Sequence, residues 1–196
     1  RKFLDHIMAG KLPKPGRISL TPMLTYRGKL YGDLTVACLD ENEFMIFGSG
    51  AAQEMHRRWF ESHLEKFNVD YKNRSDDFHG LAIAGPKSRD LLQKIVREDV
   101  SNRSFKFRDS RKMFVGGVPA IINRISFTGE LGYEIYVAPH FQLKLYEELT
   151  EAGKEFNIKP FGGRALMSMR LEKNWGAWTL DYRPDFTAKE TGLDVF

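Results

Sequence analysis

With 196 residues, 42% of them hydrophobic and 13% aromatic, the chain can build one large domain or two small lobes around a real core, and it is too apolar to be disordered. The net charge of +4 is diluted by 26 acidic side chains, and no apolar run approaches the length of a membrane span. Neither nucleic acid nor membrane is therefore expected as a partner. A single cysteine, Cys38, excludes an internal disulfide and fits a reducing, cytoplasmic setting.

The chain opens on Arg1 with "KFLDHIMAGKLP", which has helical apolar spacing and stops at Gly10 and Pro13. Strand-like runs follow, "GRISLTPMLTYRGKLYGDLTVACLD" and "EFMIFGSG", with turn signals at Arg27-Gly28 and Glu41-Asn42. "AAQEMHRRWFESHLEKF" reads as an amphipathic helix with Met55, Trp59, Phe60 and Leu64 inward, and "VDYKNRSDD" as an edge strand and turn. This βββαβ-like order makes a first α+β lobe over 1–79.

A second lobe, 80–196, repeats the theme. "GLAIAG" is a short buried strand, Pro86 opens a helix, and "RKMFVGGVPAIINRISFTGELGYEIYV" gives three strands separated by two turns. Two further helices follow: "PHFQLKLYEELTEAGKEF", capped by Gly153 or carried through it, and "FGGRALMSMRLEKN", with Leu166, Met169 and Leu171 apolar. Strands and helices in separate runs point to an α+β fold, not a doubly wound sheet.

Most chemical-looking features have plain explanations. Gly48-x-Gly50 lacks the third glycine of a dinucleotide fingerprint, with Gln53 in its place, and is a tight turn. His56 and His63 lie seven apart with no third ligand at suitable spacing; they read as solvated surface residues, and no metal is expected. Cys38 reads as a small buried hydrophobe, and "NRSFKFRDSRK" as an exposed loop.

Two acids resist that treatment. Asp33, in "KLYGDLTVACL", starts a hydrophobic strand, where a turn or cap aspartate is the plain alternative. Glu134 sits between Tyr133 and Ile135, which with Val137 form a buried face; Glu134 and Tyr136 share the other. A carboxylate there must be exposed, paired with a cation, or kept for a ligand. Beside an aromatic ring it suits a flat, nitrogen-rich ring offering parallel N–H donors.

The stretches "PKPGRISLTPMLTYRGKLYGDLTV", "AGPKSRDLLQKI", "ISFTGELGYEIYV" and "RALMSMRLEKNWGAW" resemble, in that order, the folate-dependent aminomethyltransferase family, which includes the glycine cleavage T-protein. The likeness runs over nearly the whole chain and is nearest to the folate-binding half of the dimethylglycine and sarcosine dehydrogenases. It implies two ferredoxin-like lobes around a central channel for tetrahydrofolate. It also implies that this is a fragment lacking the family's N-terminal strands and C-terminal β-barrel.

By that resemblance Asp33 stands at the catalytic acid, with Leu34 and Thr35 lining the folate channel, and Glu134 at the pterin-binding glutamate, flanked by Ile135 and Tyr136. Phe127 occupies a folate-contacting position where relatives often carry tyrosine, and Leu166 one where the T-protein has arginine. The implied activity is transfer of a one-carbon unit from a small amine donor to folate, giving 5,10-methylenetetrahydrofolate. FAD enters only with an upstream flavin domain, and a fused flavin domain or a lipoyl carrier protein would be the partner. A regulatory protein on the same scaffold, a demethylase acting on a sulfur-methyl donor, and a folate protein assisting tRNA or iron–sulfur chemistry are the competing family roles.

Overall fold

A computed structural model describes all residues, 1–196. The chain divides into two compact units: Arg1–Asn73 together with Gly176–Phe196, and Arg74–Trp175. The last 21 residues thus group with the first unit and not with the segment that precedes them in sequence.

The first unit is a helix, α1 (Lys2–Ile7), a three-stranded antiparallel meander of β1 (Arg17–Leu24), β2 (Leu30–Asp40) and β3 (Glu43–Phe47), and a second helix, α2 (Gln53–Glu61). Phe3, Leu4 and Ile7 of α1, Met23, Leu34 and Val36 of the sheet and Phe60 of α2 close its core. Each buried side chain of this size contributes roughly 1.5–3 kcal/mol. The returning C-terminal segment docks on the β1–β2 turn, where the Leu30 amide donates to the Phe186 carbonyl at 2.8 Å and Lys29 Nζ to the Asp185 carbonyl at 2.9 Å.

Two expectations fail in this unit. Residues 68–78 form no strand, because a run this rich in Asp, Asn, Lys and Arg has no alternating apolar face to bury; Tyr71 alone packs on the core, edge-on to Phe60. His56 is not on the surface: it is 4% exposed and faces inward beside Phe60.

The second unit carries β4 (His79–Ala84), α3 (Ser88–Ile95), β5 (Ser110–Val115), β6 (Val118–Asn123), β7 (Gly132–Val137), α4 (Gln142–Gly153) and α5 (Gly163–Glu172). Its four-stranded antiparallel sheet has the order β4-β7-β6-β5. The β5–β6 hairpin turns on Gly116-Gly117, both at positive φ (56° and 82°), as a two-residue turn between twisted strands requires. Tyr133, Ile135 and Val137 of β7 meet Ile122, Met113 and Val115 from the sheet, Leu91 and Leu92 of α3, and Leu145 and Leu149 of α4.

"GLAIAG" forms β4 at the edge of this sheet, with only Ile83 fully buried, whereas the apolar run predicted a buried strand. Helix α4 runs through to Gly153, continues as a short 3-10 turn and stops where Asn157 takes up a left-handed conformation (φ 57°). Both units are antiparallel sheets with helices, the α+β class that the sequence indicated.

Candidate functional site

Asp33 lies where the first sheet is least regular. Along β2, Leu34 and Val36 turn into the core while Asp33 and Thr35 turn away. Across the ladder Asp33 faces Pro22, which has no N–H to give. The β1–β2 register also jumps, Met23 pairing with Gly32 and Leu24 with Leu30, so Tyr31 bulges out of the ladder two residues before the acid. On the other side, β3 begins to pair only at Thr35, opposite Phe47.

The Asp33 carboxylate is held by its own backbone amide, with no cation beside it. Burial dominates and pushes its pKa up from 3.8 to about 7. A carboxyl poised near neutrality can give or take a proton at working pH.

The second acid lies on the sheet of the other unit. Glu134 and Tyr136 point away from the core that Tyr133, Ile135 and Val137 enter. Tyr136 donates its hydroxyl proton to Glu134 Oε2 at 2.8 Å. Burial raises the Glu134 pKa, opposed by that hydrogen bond and by the charge of Lys173. Lys173 is lowered by burial and raised by Glu134; its Nζ donates to the Ser126 carbonyl at 2.8 Å and lies 5.0 Å from the Trp175 ring centre.

The strand register shows what shares this face. Directly opposite Glu134 are Ala82 on β4 and Asn123 on β6, and opposite Asn123 is Ser110 on β5. Asn123 is fully buried, and neither its Oδ1 nor its Nδ2 has a hydrogen-bond partner; the buried Ser110 Oγ has none either. The neighbouring row holds Gly80 opposite Tyr136, close enough that a Cβ there would stand 3.0 Å from the tyrosine ring. Small residues at one edge, an aromatic ring, a desolvated carboxylate and an orphaned amide make a flat face with unmet hydrogen-bonding capacity. Those features fit a planar ring bearing both N–H donors and carbonyl or nitrogen acceptors.

The other expected residues divide. Leu34 and Ile135 send their side chains into the hydrophobic cores; the strict alternation of a strand beside Asp33 and Glu134 requires this. Thr35 shares the outward side of β2 with Asp33. Phe127, half-buried, sits in the β6–β7 loop next to Ser126, whose carbonyl Lys173 holds.

Asn123 and Lys173 were not singled out in the sequence. Asn123 looks like the polar end of an apolar strand, and only the cross-strand register reveals its position. Lys173 is the lysine of "RLEKN", 39 residues beyond Glu134.

An antiparallel α+β scaffold carrying two desolvated acids defines the class, and comparison with known proteins gives it a family. The chain belongs to the GCVT N-terminal domain family, whose model matches residues 1–196. It is 38% identical to human dimethylglycine dehydrogenase over 198 residues, covering all of this chain and 23% of that protein. It is 32% identical to the aminomethyltransferase of Caldanaerobacter subterraneus, covering 99% of this chain and 52% of that one. The chain thus spans about half the length of the aminomethyltransferases and about a quarter of the dehydrogenases it matches. Among solved structures, glycine cleavage system aminomethyltransferase T from Bartonella henselae superposes with a TM-score of 0.79 at 22% identity, over 95% of this chain and 49% of that one, a likeness of fold.

Proposed function

We propose that the chain is a tetrahydrofolate-binding module for one-carbon transfer, producing 5,10-methylenetetrahydrofolate from an N-methyl or aminomethyl donor. The observation that carries this reading is the desolvated Glu134 carboxylate, held by Tyr136 on the non-core face of its sheet beside the orphaned amide of Asn123. Likeness to aminomethyltransferases and dimethylglycine dehydrogenases supports it.

In this reading Glu134 accepts two parallel N–H bonds from the pterin ring, each charge-assisted and contributing about 1.5–3 kcal/mol net. Tyr136 orients the carboxylate through the bond already formed. Thr35 and Phe127 would contribute contact surface, and Leu34 and Ile135 could contribute only through their backbone. Bound tetrahydrofolate supplies the nitrogens that receive the one-carbon unit. Asp33, with its pKa near 7, holds or releases the proton at the nitrogen where that unit is exchanged. With an N-methyl donor, FAD on a fused flavin domain would carry out the oxidation; with an aminomethyl donor, a lipoyl carrier protein would deliver it and the amino group would leave as ammonia.

No helix is long and apolar enough to cross a membrane. A cytoplasmic location remains part of the proposal, while the names of the animal dehydrogenases place those proteins in mitochondria.

Calorimetric titration of the 196-residue chain with 5-formyltetrahydrofolate tests the reading. Saturable heat that Glu134→Ala abolishes is expected, with Asp33→Ala retaining binding but blocking formation of methylenetetrahydrofolate. Absence of heat and of any thermal shift at millimolar ligand would overturn it.

A further inference from the structure

One buried histidine has a position that packing alone does not explain. His56, on α2, is 4% exposed, and its Nε2 lies 2.8 Å from the carbonyl oxygen of Tyr31. A carbonyl only accepts, so Nε2 carries the proton. Tyr31 is the residue extruded by the β1–β2 bulge, two positions before Asp33, at a level where β3 has not yet joined the sheet. Its carbonyl therefore lacks a strand partner on that side, and the imidazole takes the strand's place.

The chain makes room for this ring with two glycines. A Cβ at Gly32 would stand 2.9 Å from His56 Nε2, and one at Gly48 would stand 3.4 Å from Nδ1 and 2.7 Å from Leu34 Cδ2. Trp178, from the returning C-terminal segment, sits edge-on to the imidazole with ring centres 5.7 Å apart.

The geometry points to His56 as a positioning residue for Asp33: by pinning the Tyr31 carbonyl it fixes the bulge, and the bulge decides the face on which Asp33 emerges. Strand side chains alternate, so a one-residue slip in register would exchange Asp33 with its inward neighbour Leu34. Burial favours the neutral imidazole that this role requires. The inference rests on the reading of Asp33 as the working acid, but its test does not need folate.

The test follows the Asp33 carboxyl carbon by 13C NMR across a pH titration of the full chain, with Asp33→Asn assigning the resonance. His56→Phe, which keeps the bulk and loses the donor, is expected to move the Asp33 midpoint toward the ordinary aspartate value by about one unit or more, a tenfold change in its protonation ratio. The Glu134 midpoint should stay where it is, and His56→Gln, which restores an N–H donor, should recover much of the Asp33 shift. Should His56→Phe fail to fold, Gly32→Ala displaces the imidazole by steric contact and is expected to move the Asp33 midpoint in the same direction. A lower melting temperature with an unmoved Asp33 midpoint would reduce His56 to packing and overturn the inference. A moved midpoint in a protein that does not bind 5-formyltetrahydrofolate would leave the positioning role standing and remove the folate reading.

Discussion

Tyr136 and Glu134, two residues apart on one strand, are joined side chain to side chain on the face of β7 that the core does not use, the phenol donating to the carboxylate at 2.8 Å. The bond favours the charged carboxylate against the burial that disfavours it. Tyr136→Phe removes the donor and leaves a desolvated acid with only Lys173 opposing its protonation. The Glu134 pKa is expected to rise further, and affinity for 5-formyltetrahydrofolate to fall about tenfold or more, the consequence of losing one charge-assisted bond. Calorimetry over a series of pH values checks both, because the loss should shrink as pH rises and the carboxylate is restored.

Asp33 makes a prediction about stability. Its folded pKa of about 7 lies above its ordinary 3.8, so between those values the folded protein holds a proton that the unfolded chain has released. Stability must then fall as pH rises through that window, with the full loss reached above pH 7. At about 1.4 kcal/mol per unit, the loss has a ceiling of about 4 kcal/mol. Asp33→Asn cannot ionise, so urea denaturation should find it more stable than the parent at pH 8 and close to it at pH 4. Parallel pH profiles for the two proteins would show that Asp33 is solvated.

These two residues also mark how much could be read from the sequence. The Tyr133-Ile135-Val137 alternation shows on inspection which side of β7 is buried, and hence that Glu134 is displaced from the core. Local periodicity suffices for that. Nothing local shows that Gly176–Phe196 returns to the first unit, since that depends on contacts such as Leu30 with Phe186, 156 residues apart. The bulge at Tyr31 has the same origin: register is a property of two strands, and neither encodes it alone. Periodicity does not place His56 inside, because a histidine on an amphipathic helix is usually solvated, and only the Tyr31 carbonyl on another element gives it a reason to be buried.

The division of labour between the two faces of β7 gives a third prediction. Ile135 is fully buried against the core, although it neighbours the proposed pterin ligand in sequence. Ile135→Ala should cost about 2–5 kcal/mol through lost burial and the cavity left behind. In the fraction that remains folded, affinity for 5-formyltetrahydrofolate should change less than about threefold, well under one hydrogen bond's worth. Tyr133→Phe offers a control on the same face: its hydroxyl is buried without a partner, so removing it should be neutral or stabilising by about 1 kcal/mol. Chemical denaturation measures both, and a large affinity loss in either variant would mean that the core face also touches ligand.

Asn123 tests whether the non-core face is built for a ligand at all. A fully buried amide with neither its oxygen nor its nitrogen bonded is a cost that folding alone gives no reason to keep. Leucine has the same branched skeleton with no polar atoms, so Asn123→Leu should raise stability by about 1–3 kcal/mol, the desolvation penalty of the orphaned groups. If the amide is held ready for a ring seated against Glu134, its cross-strand neighbour, the same substitution should weaken 5-formyltetrahydrofolate binding about tenfold or more. Gain in melting temperature with loss of affinity is the signature of a site maintained at the expense of stability. A gain in melting temperature with affinity intact would show that Asn123 is only an internal defect, and that recognition on this face is confined to Glu134 and Tyr136.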